Sequence, residues 1–306
     1  MNSQTITADA AGTWQLGDLT VNRLGFGAMR LPGNAPFGTG GHGDREQSIA
    51  VLRRAVELGV NHIDTAAFYF SALRSANELI NAALAPYPDD LVIVTKVWPG
   101  RHPWGEWYSA TPQQLRGQVE ENLRQLGRDH LDVVNLRRMA RGSIGEHFSA
   151  LAELREAGLI RHLGVSDVTT TQLAEALAIA PVACVQNRFS LEVRKHDDVL
   201  AACRERGIAF VPYFAVAGER RADGGSGAEP GQLVAVADRH GATPAQVRLA
   251  WTLHQGPNVL AIPGTGNPEH LAENVAAGAL RLSAADLSLL GSLGELGDDA
   301  ASGTPR

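Results

Sequence analysis

Short apolar runs alternate with amphipathic segments along most of the chain. The apolar runs are continuously hydrophobic, which is typical of strands covered on both faces. The segments between them place apolar residues at helical spacing, and several end at a glycine such as Gly59 or Gly127. The predicted strands cover residues 21–28, 62–66, 91–97, 131–137, 162–166, 183–187, 208–214 and 259–263.

This alternation predicts an α/β fold, a closed (β/α)8 TIM barrel, with about eight parallel strands. The segment before the first barrel strand predicts an N-terminal β-hairpin that turns at Gly17 and Asp18. No linker divides residues 1–306, so we expect a single domain, with 1–12 and 297–306 as loose tails. An open doubly wound sheet is the competing architecture. Residues 24–27 lack the third glycine of its dinucleotide fingerprint, which argues against it.

Composition narrows the classes of partner. The 306 residues are 44% hydrophobic and 20% charged, as in a globular protein, and carry a net charge of -6, which argues against nucleic-acid binding. We see no secretory signal and no apolar run long enough to cross a bilayer, so we expect a cytoplasmic protein without a membrane partner. Scattered histidines and two cysteines, Cys184 and Cys203, give no metal-binding spacing. We predict no metal, and a monomer or weak homo-oligomer.

Polar side chains stand where two predicted strands end. Asp64 ends one apolar run, Lys96 ends the next, and Tyr69 follows the first. If the strands are parallel neighbours, a carboxylate, an ammonium and a phenol share one rim, and the cation lowers the phenol pKa while the carboxylate holds the cation. The alternative is a buried ion pair with an unrelated surface tyrosine.

Five segments together resemble the aldo-keto reductase family. They are Gly-Val-Asn-His-Ile-Asp-Thr-Ala at 59–66 with Tyr69, Val-Thr-Lys at 94–96, Gly-Val-Ser-Asp at 164–167, Val-Gln-Asn at 185–187, and Ile-Pro-Gly-Thr at 262–265 with Glu273 and Asn274. The resemblance covers most of the chain. It implies a (β/α)8 barrel, the cofactor NADPH/NADP+, and reduction of an aldehyde or ketone with Asp64, Tyr69 and Lys96 as catalytic residues and Tyr69 as general acid.

The same resemblance implies a set of cofactor-binding residues. They are Ser166, Asp167, Gln186, Tyr213, Gly264, Thr265, Gly266, His270, Glu273 and Asn274. Independently of the family, the segment 264–267 leads into a predicted helix whose free N–H groups favour a phosphate. His270 stands where relatives commonly have an arginine for the 2′-phosphate. A neutral imidazole holds phosphate less well than a guanidinium, but NADPH is still expected over NADH. Asp167 could instead cap the following helix, and Tyr213 could equally be a core residue.

The fourth strand departs from the family pattern, because Arg137 aligns with the usual active-site histidine. A guanidinium does not release its proton, but it can stabilise an oxyanion or depress the tyrosine pKa. The alternative is a structural ion pair with Asp64 or Asp132. Asn135 lies on the same face as Arg137 and one layer deeper, so we expect it to line the pocket.

The insertion at residues 98–108 is rich in aromatic residues and should lie over the barrel mouth. Trp98, Trp104 and Phe68 then form an apolar wall suited to an aromatic or bulky carbonyl compound, although the insertion could instead only cover the rim. The glycine-rich residues 217–231 are expected to fold over the cofactor. Two other functions stay open: a lyase in which Lys96 forms a Schiff base, and a nicotinamide-binding sensor or subunit with weak turnover.

Overall fold

The apolar runs form a central parallel sheet in the computed structural model, which describes residues 6–33, 44–216 and 229–298. The strands are β1 (Thr13–Leu16), β2 (Leu19–Asn22), β3 (Phe26–Gly27), β4 (His62–Asp64), β5 (Val92–Val97), β6 (Pro99–Arg101), β7 (Trp107–Ser109), β8 (Leu131–Arg137), β9 (Ile160–Ser166), β10 (Val182–Gln186) and β11 (Ala209–Phe210). Seven of them form one sheet in the order β11-β10-β9-β8-β5-β4-β3.

Residues 259–261 close this sheet into a ring. Val259 pairs with Phe210 in a parallel bridge, and Ala261 pairs with Leu24 on the other side. The predicted (β/α)8 barrel is therefore confirmed, together with the antiparallel hairpin β1–β2 that precedes it.

Helices follow the strands and pack on the outside of the sheet, as the contacts of α3 with β5 and of α4 with β9 show. They are α1 (Arg45–Glu57), α2 (Ala76–Leu84), α3 (Leu115–Leu126), α4 (Gly145–Glu156), α5 (Thr170–Ile179), α6 (Asp197–Glu205), α7 (Gly231–His240), α8 (Pro244–His254), α9 (Pro268–Ala276) and α10 (Ala284–Asp298). Within the described ranges, no helix has the length and hydropathy needed to cross a membrane.

Local sequence signals explain several helix boundaries. The Asp44 carboxylate accepts a hydrogen bond from the backbone N–H of Gln47 at 2.8 Å and caps α1 as predicted. Thr169 and Gln172 form a capping box at the start of α5. Gly127 ends α3 in the left-handed conformation, with φ of 63°, which a glycine adopts without steric cost.

The barrel interior is filled by small and branched side chains from alternate strand positions. The hairpin adds Leu16 and Val21 to this cluster and covers the end of the barrel where the strands begin. The remaining members come from the strands themselves: Val92, Val94, Val133, Cys184, Ala209, Val211 and Leu260. The opposite end, where the strands finish, is left to the polar side chains.

Three sequence expectations need correction. The predicted strand 208–214 is reduced to β11, and the predicted strand 259–263 forms only the two isolated bridges at Val259 and Ala261. Pro212 and Pro263 lie in these runs and have no N–H group to donate to a neighbouring strand. The expected loose N-terminal tail includes a short 3-10 helix, Ala8–Ala11, whose Ala8 is buried and donates its amide to the Leu58 carbonyl at 2.8 Å. At the other terminus, 297–298 belong to α10. The predicted cofactor-covering loop lies outside the described residues apart from 229–231.

Candidate active site

A buried ion pair lies where β4 and β5 end. The Lys96 ammonium is 2.6 Å from the Asp64 carboxylate, and it also donates to the Thr65 carbonyl at 2.9 Å. The other Asp64 oxygen accepts from the Gln186 amide at 2.6 Å. The Lys96 side chain is only 4% exposed. Burial by itself lowers the pKa of Lys96, but the effects of Asp64 and Tyr69 together outweigh it, so the net direction is upward and the amine stays charged.

Tyr69 lies directly beside this pair, with its ring centroid 4.9 Å from the Lys96 nitrogen. The phenol is buried, and Phe68 packs edge-on against its ring at 5.1 Å. Burial raises the pKa of Tyr69, and the opposing charge of Lys96 does not fully offset it. The predicted lowering by Lys96 is thus one part of the balance, and the phenol keeps its proton at neutral pH.

Arg137 forms an ion pair with Asp167 and not with Asp64 or Asp132, the two partners considered from the sequence. Its Nη1 atom is 2.8 Å from Asp167 Oδ2. Arg138 contacts the same carboxylate at 3.3 Å, and the Tyr213 hydroxyl donates to it at 3.3 Å. Burial would raise the pKa of Asp167, but the two arginines outweigh it and hold the pKa below its usual value. Asp167 is therefore not the cap of α5, a role that Thr169 fills.

These strand ends surround a cavity of about 280 Å³. The structure brings together, from the predicted site, Asp64, Phe68, Tyr69, Lys96, Arg137, Ser166, Gln186, Tyr213 and Gly264. The cavity is also lined by residues that sequence reasoning did not assign to the site, among them Met29, Pro212, Phe214 and Ile262. Their position directly after or within predicted strand ends is the signal that could have identified them.

Three predicted pocket residues lie elsewhere. Trp98 is buried beneath the β6–β7 hairpin, donates to the Ser109 hydroxyl at 2.8 Å and stacks on His147. Trp104 is 72% exposed at the hairpin tip. Asn135 is buried inside the barrel, where it accepts a hydrogen bond from Cys184. The expected wall of Trp98 and Trp104 does not form, because residues 98–108 fold into a hairpin on the rim, and the aromatic walls are Phe68, Tyr213 and Phe214.

The cavity has features that fit a dinucleotide. Ser166 Oγ is buried without a hydrogen-bond partner in the described part of the chain, so it is available to a ligand. Gly264 lies so close to β3 that a Cβ there would be 2.3 Å from the Gly27 carbonyl. Beyond it, the segment 265–267 leads to the N-terminus of α9, where Asn267 is the cap. A chain of backbone N–H groups thus runs from the cavity to a helix start, which suits a phosphate.

The remaining predicted cofactor residues lie along this segment and α9, away from the cavity lining. The Thr265 hydroxyl accepts a hydrogen bond from the backbone N–H of Asn267 at 3.0 Å. The Gly266 carbonyl accepts one from the side-chain amide of Gln47 at 2.6 Å. His270 and Glu273 are exposed on α9, whereas Asn274 is buried. No group of three or more His, Cys, Asp or Glu within the described ranges is placed to hold a metal ion.

Comparison with known proteins defines the class. The sequence profile of the Aldo/keto reductase family matches residues 23–295, and the chain belongs to that family of oxidoreductases. The chain is 46% identical over 289 residues to pyridoxine 4-dehydrogenase of Escherichia coli (strain K12), covering 92% of this chain and 98% of that protein. An aldo-keto reductase from Klebsiella pneumoniae, solved in complex with NADPH, aligns with a TM-score of 0.77 at 29% identity, covering 92% of this chain and 94% of that chain. A thermostable aldo-keto reductase solved with the inhibitor epalrestat aligns with a TM-score of 0.76 at 31% identity, covering 92% of this chain and 98% of that chain.

Proposed function

We propose that this chain is an NADPH-dependent oxidoreductase that interconverts an aldehyde or ketone and the corresponding alcohol. The observation that carries the proposal is the buried pair of Lys96 and Asp64 beneath Tyr69, in a cavity bordered by Ser166 and Gly264. Family membership supports the reaction type, and relatives solved with NADPH or NADP support the cofactor. When bound, the nicotinamide supplies the hydride for the carbonyl carbon or accepts it from the alcohol.

Tyr69 is the proposed proton donor. Its pKa is raised, so the hydroxyl is protonated before the reaction and can give its proton to the carbonyl oxygen as negative charge builds there. The Lys96 ammonium stabilises the phenolate that remains, and Asp64 keeps that ammonium charged and in place. In the reverse direction, the same phenolate takes the proton of the alcohol.

The cofactor role of the other polar residues follows from which of their atoms are free. Ser166 Oγ has no partner among the described residues, and it fits the nicotinamide carboxamide. Gln186 gives one N–H to Asp64, so its carbonyl oxygen and its second N–H are left for that carboxamide. Asp167 is occupied by two arginines and is a weaker candidate. The adenosine phosphates would lie between Gly264 and the start of α9, with Thr265, Gly266, His270, Glu273 and Asn274 as the candidate contacts.

Arg137 is proposed to act as a fixed positive charge in the position that a histidine usually occupies in the family. Its charge opposes the upward shift of the Tyr69 pKa, and it faces the same cavity. It cannot exchange a proton at working pH, so it assists by charge alone.

The substrate class is proposed from the walls and the relatives. Phe68, Tyr213 and Phe214 supply aromatic surface. The cavity of about 280 Å³ must hold the nicotinamide as well as the substrate, which favours a compact substrate such as a single substituted ring. The 46% identity to pyridoxine 4-dehydrogenase makes pyridoxal and pyridoxine the first compounds to test.

A Schiff-base lyase is less well supported. A lysine that attacks a carbonyl must be a neutral amine, and such lysines have a depressed pKa. Here the pKa of Lys96 is raised, because the carboxylate at 2.6 Å and the neighbouring Tyr69 together outweigh the effect of burial. Borohydride trapping of substrate on Lys96 would support the lyase instead.

The direct test is Tyr69→Phe. We expect NADPH oxidation with benzaldehyde or pyridoxal to fall by about 100-fold or more, since proton transfer by a positioned side chain contributes about that much. NADPH binding, followed by quenching of tryptophan fluorescence, should stay near the wild-type value. Tyr108→Phe, on the exposed strand β7, is the matched control. Turnover retained in Tyr69→Phe would reject the acid assignment.

A further inference from the structure

Arg137 has an unusual hydrogen-bond balance. Its Nη1 atom is 2.8 Å from Asp167 Oδ2, but the N–H does not point at that oxygen, and the atom is buried without a hydrogen-bond partner among the described residues. The contact is therefore a charge attraction without a directed hydrogen bond. The side chain is 29% exposed, and it lines the cavity that contains Tyr69 and Lys96.

Two other arginines of the described part of the chain direct hydrogen bonds at carboxylates. The neighbouring Arg138 donates to the backbone carbonyl of Asp167 and to its carboxylate. Arg248 donates to Glu229 at 2.7 Å and also to Glu192. Removing a guanidinium from water without new hydrogen bonds is costly. Arg137 meets that cost without a directed hydrogen bond from Nη1, and its side chain borders the cavity.

The charges around the cavity favour an anion. Among its described lining residues, Arg30, Lys96 and Arg137 are positive and Asp64 is negative, a balance of +2 in a chain whose net charge is -6. Asp64 is already paired with Lys96. The positive charge that remains lies with Arg30 and with the pair Arg137 and Arg138, which share the single carboxylate of Asp167. This charge attracts negatively charged small molecules into the site.

We propose that Arg137 selects carbonyl substrates that carry a negatively charged oxygen, either a carboxylate or a phenolate, on the same small molecule. The inference rests on the proposed function and adds the substrate class. β5 and β8 are neighbours with Lys96 opposite Asn135, so Arg137 lies one layer further toward the cavity mouth than Lys96. A substrate oxygen bound there holds the rest of the molecule over Tyr69. The planar guanidinium can give two parallel hydrogen bonds to a carboxylate or one charge-assisted bond to a phenolate.

Matched substrate pairs test the proposal. One pair is 2-carboxybenzaldehyde and its methyl ester, and the second is 2-hydroxybenzaldehyde and 2-methoxybenzaldehyde; the 4-substituted isomers report how position matters. We measure kcat/KM with NADPH for wild type, Arg137→Gln, Arg137→Lys and Arg30→Gln. Arg116→Gln is the matched control, because this exposed arginine on α3 is not among the residues that line the cavity.

The expected result is a change of preference and not a uniform loss. Wild type should prefer the anionic member of at least one pair, and Arg137→Gln should reduce kcat/KM for that member by about 10–100-fold, the value of one charged hydrogen bond. The neutral members should also lose some kcat/KM, because the charge of Arg137 acts on Tyr69 whatever the substrate, but they should lose clearly less than the anionic member. Far-UV circular dichroism shows whether the variant is folded. Arg137→Lys should recover part of the preference, since it keeps the charge and loses the planar group.

Binding gives a readout that needs no turnover. Phthalate and its dimethyl ester are titrated into each variant in the presence of NADP+. Arg137→Gln should weaken phthalate by about tenfold or more and leave the ester unchanged.

Three results would overturn the inference. They are an equal loss for charged and neutral substrates in Arg137→Gln, a preference that disappears only in Arg30→Gln, and phthalate binding no better than its ester. An enzyme that binds phthalate through Arg137 but turns over no carbonyl would instead refute the proposed function and leave the anion site standing.

Discussion

Lowering the pH should weaken the fold through one buried histidine. His62 lies on β4, two residues before Asp64 and on the same face of the strand. It is fully buried, and neither ring nitrogen has a hydrogen-bond partner within the described part of the chain. The ring lies against the backbone of Gly25, where a Cβ would be 2.2 Å from His62 Nε2. The site therefore favours a neutral imidazole over a charged one.

The size of the effect follows from the shift in pKa. Burial lowers the pKa of His62 from 6.5 to about 4, with the Asn22 backbone opposing it only in part. Because the folded-state pKa is depressed, the unfolded chain binds the proton first, and stability is lost as the pH falls below 6.5 and levels off below about 4. The loss from this group is about 2 kcal/mol between pH 7 and pH 5, and about 3 kcal/mol in all.

The assay compares wild type with His62→Leu. The free energy of unfolding is measured by urea titration at pH 7 and pH 5, with tryptophan fluorescence as the signal. His196 also has a pKa lowered by burial, but it is present in both proteins and cancels in the difference. Wild type should lose about 2 kcal/mol more than His62→Leu over this interval. Parallel losses in the two proteins, or an imidazole NMR titration of His62 near its ordinary pKa, would refute the reasoning.

Two further predictions concern the site itself. Lys96→Met leaves Asp64 as an uncompensated buried carboxylate, so we expect chemical unfolding to show a loss of about 3–5 kcal/mol in stability. Most of this loss should be recovered in the double variant that also carries Asp64→Asn. A single variant as stable as the double variant would contradict this prediction. Gly264→Ala pushes a Cβ against the Gly27 carbonyl, so we expect a loss of about 1–3 kcal/mol in stability and weaker NADPH binding in fluorescence titrations. The control Gly142→Ala, whose Cβ meets nothing within 4 Å, should change neither.

Much of the fold could be predicted from local patterns. Continuous apolar runs bounded by glycine and polar residues predicted the strands, and the helix-capping role of Asp44 was read from the residue type and its place before a periodic segment. The errors fall where local pattern and backbone chemistry conflict. Pro212 and Pro263 lie in hydrophobic runs, but they cannot donate to a ladder, so regular pairing stops beside them.

The cluster of Asp64, Lys96 and Tyr69 was also predictable in outline. Parallel strands end on one side of a barrel, so a strand that ends in Asp64 and a neighbour that ends in Lys96 must bring their side chains to the same rim. The insertion at 98–108 had no such constraint. Its aromatic composition favoured a wall over the mouth, whereas its folding into a hairpin buries Trp98 beneath the rim and leaves Trp104 in solvent.

The sequence by itself determined the alternation of strands and helices and the residues that stand at the strand ends, because both depend on residue type and spacing along the chain. The tertiary structure alone decided that Arg137 pairs with Asp167 with its N–H groups not directed at that carboxylate, and that burial outweighs Lys96 in setting the Tyr69 pKa. Those outcomes depend on distances and desolvation between side chains that are far apart in sequence, and no local pattern encodes them.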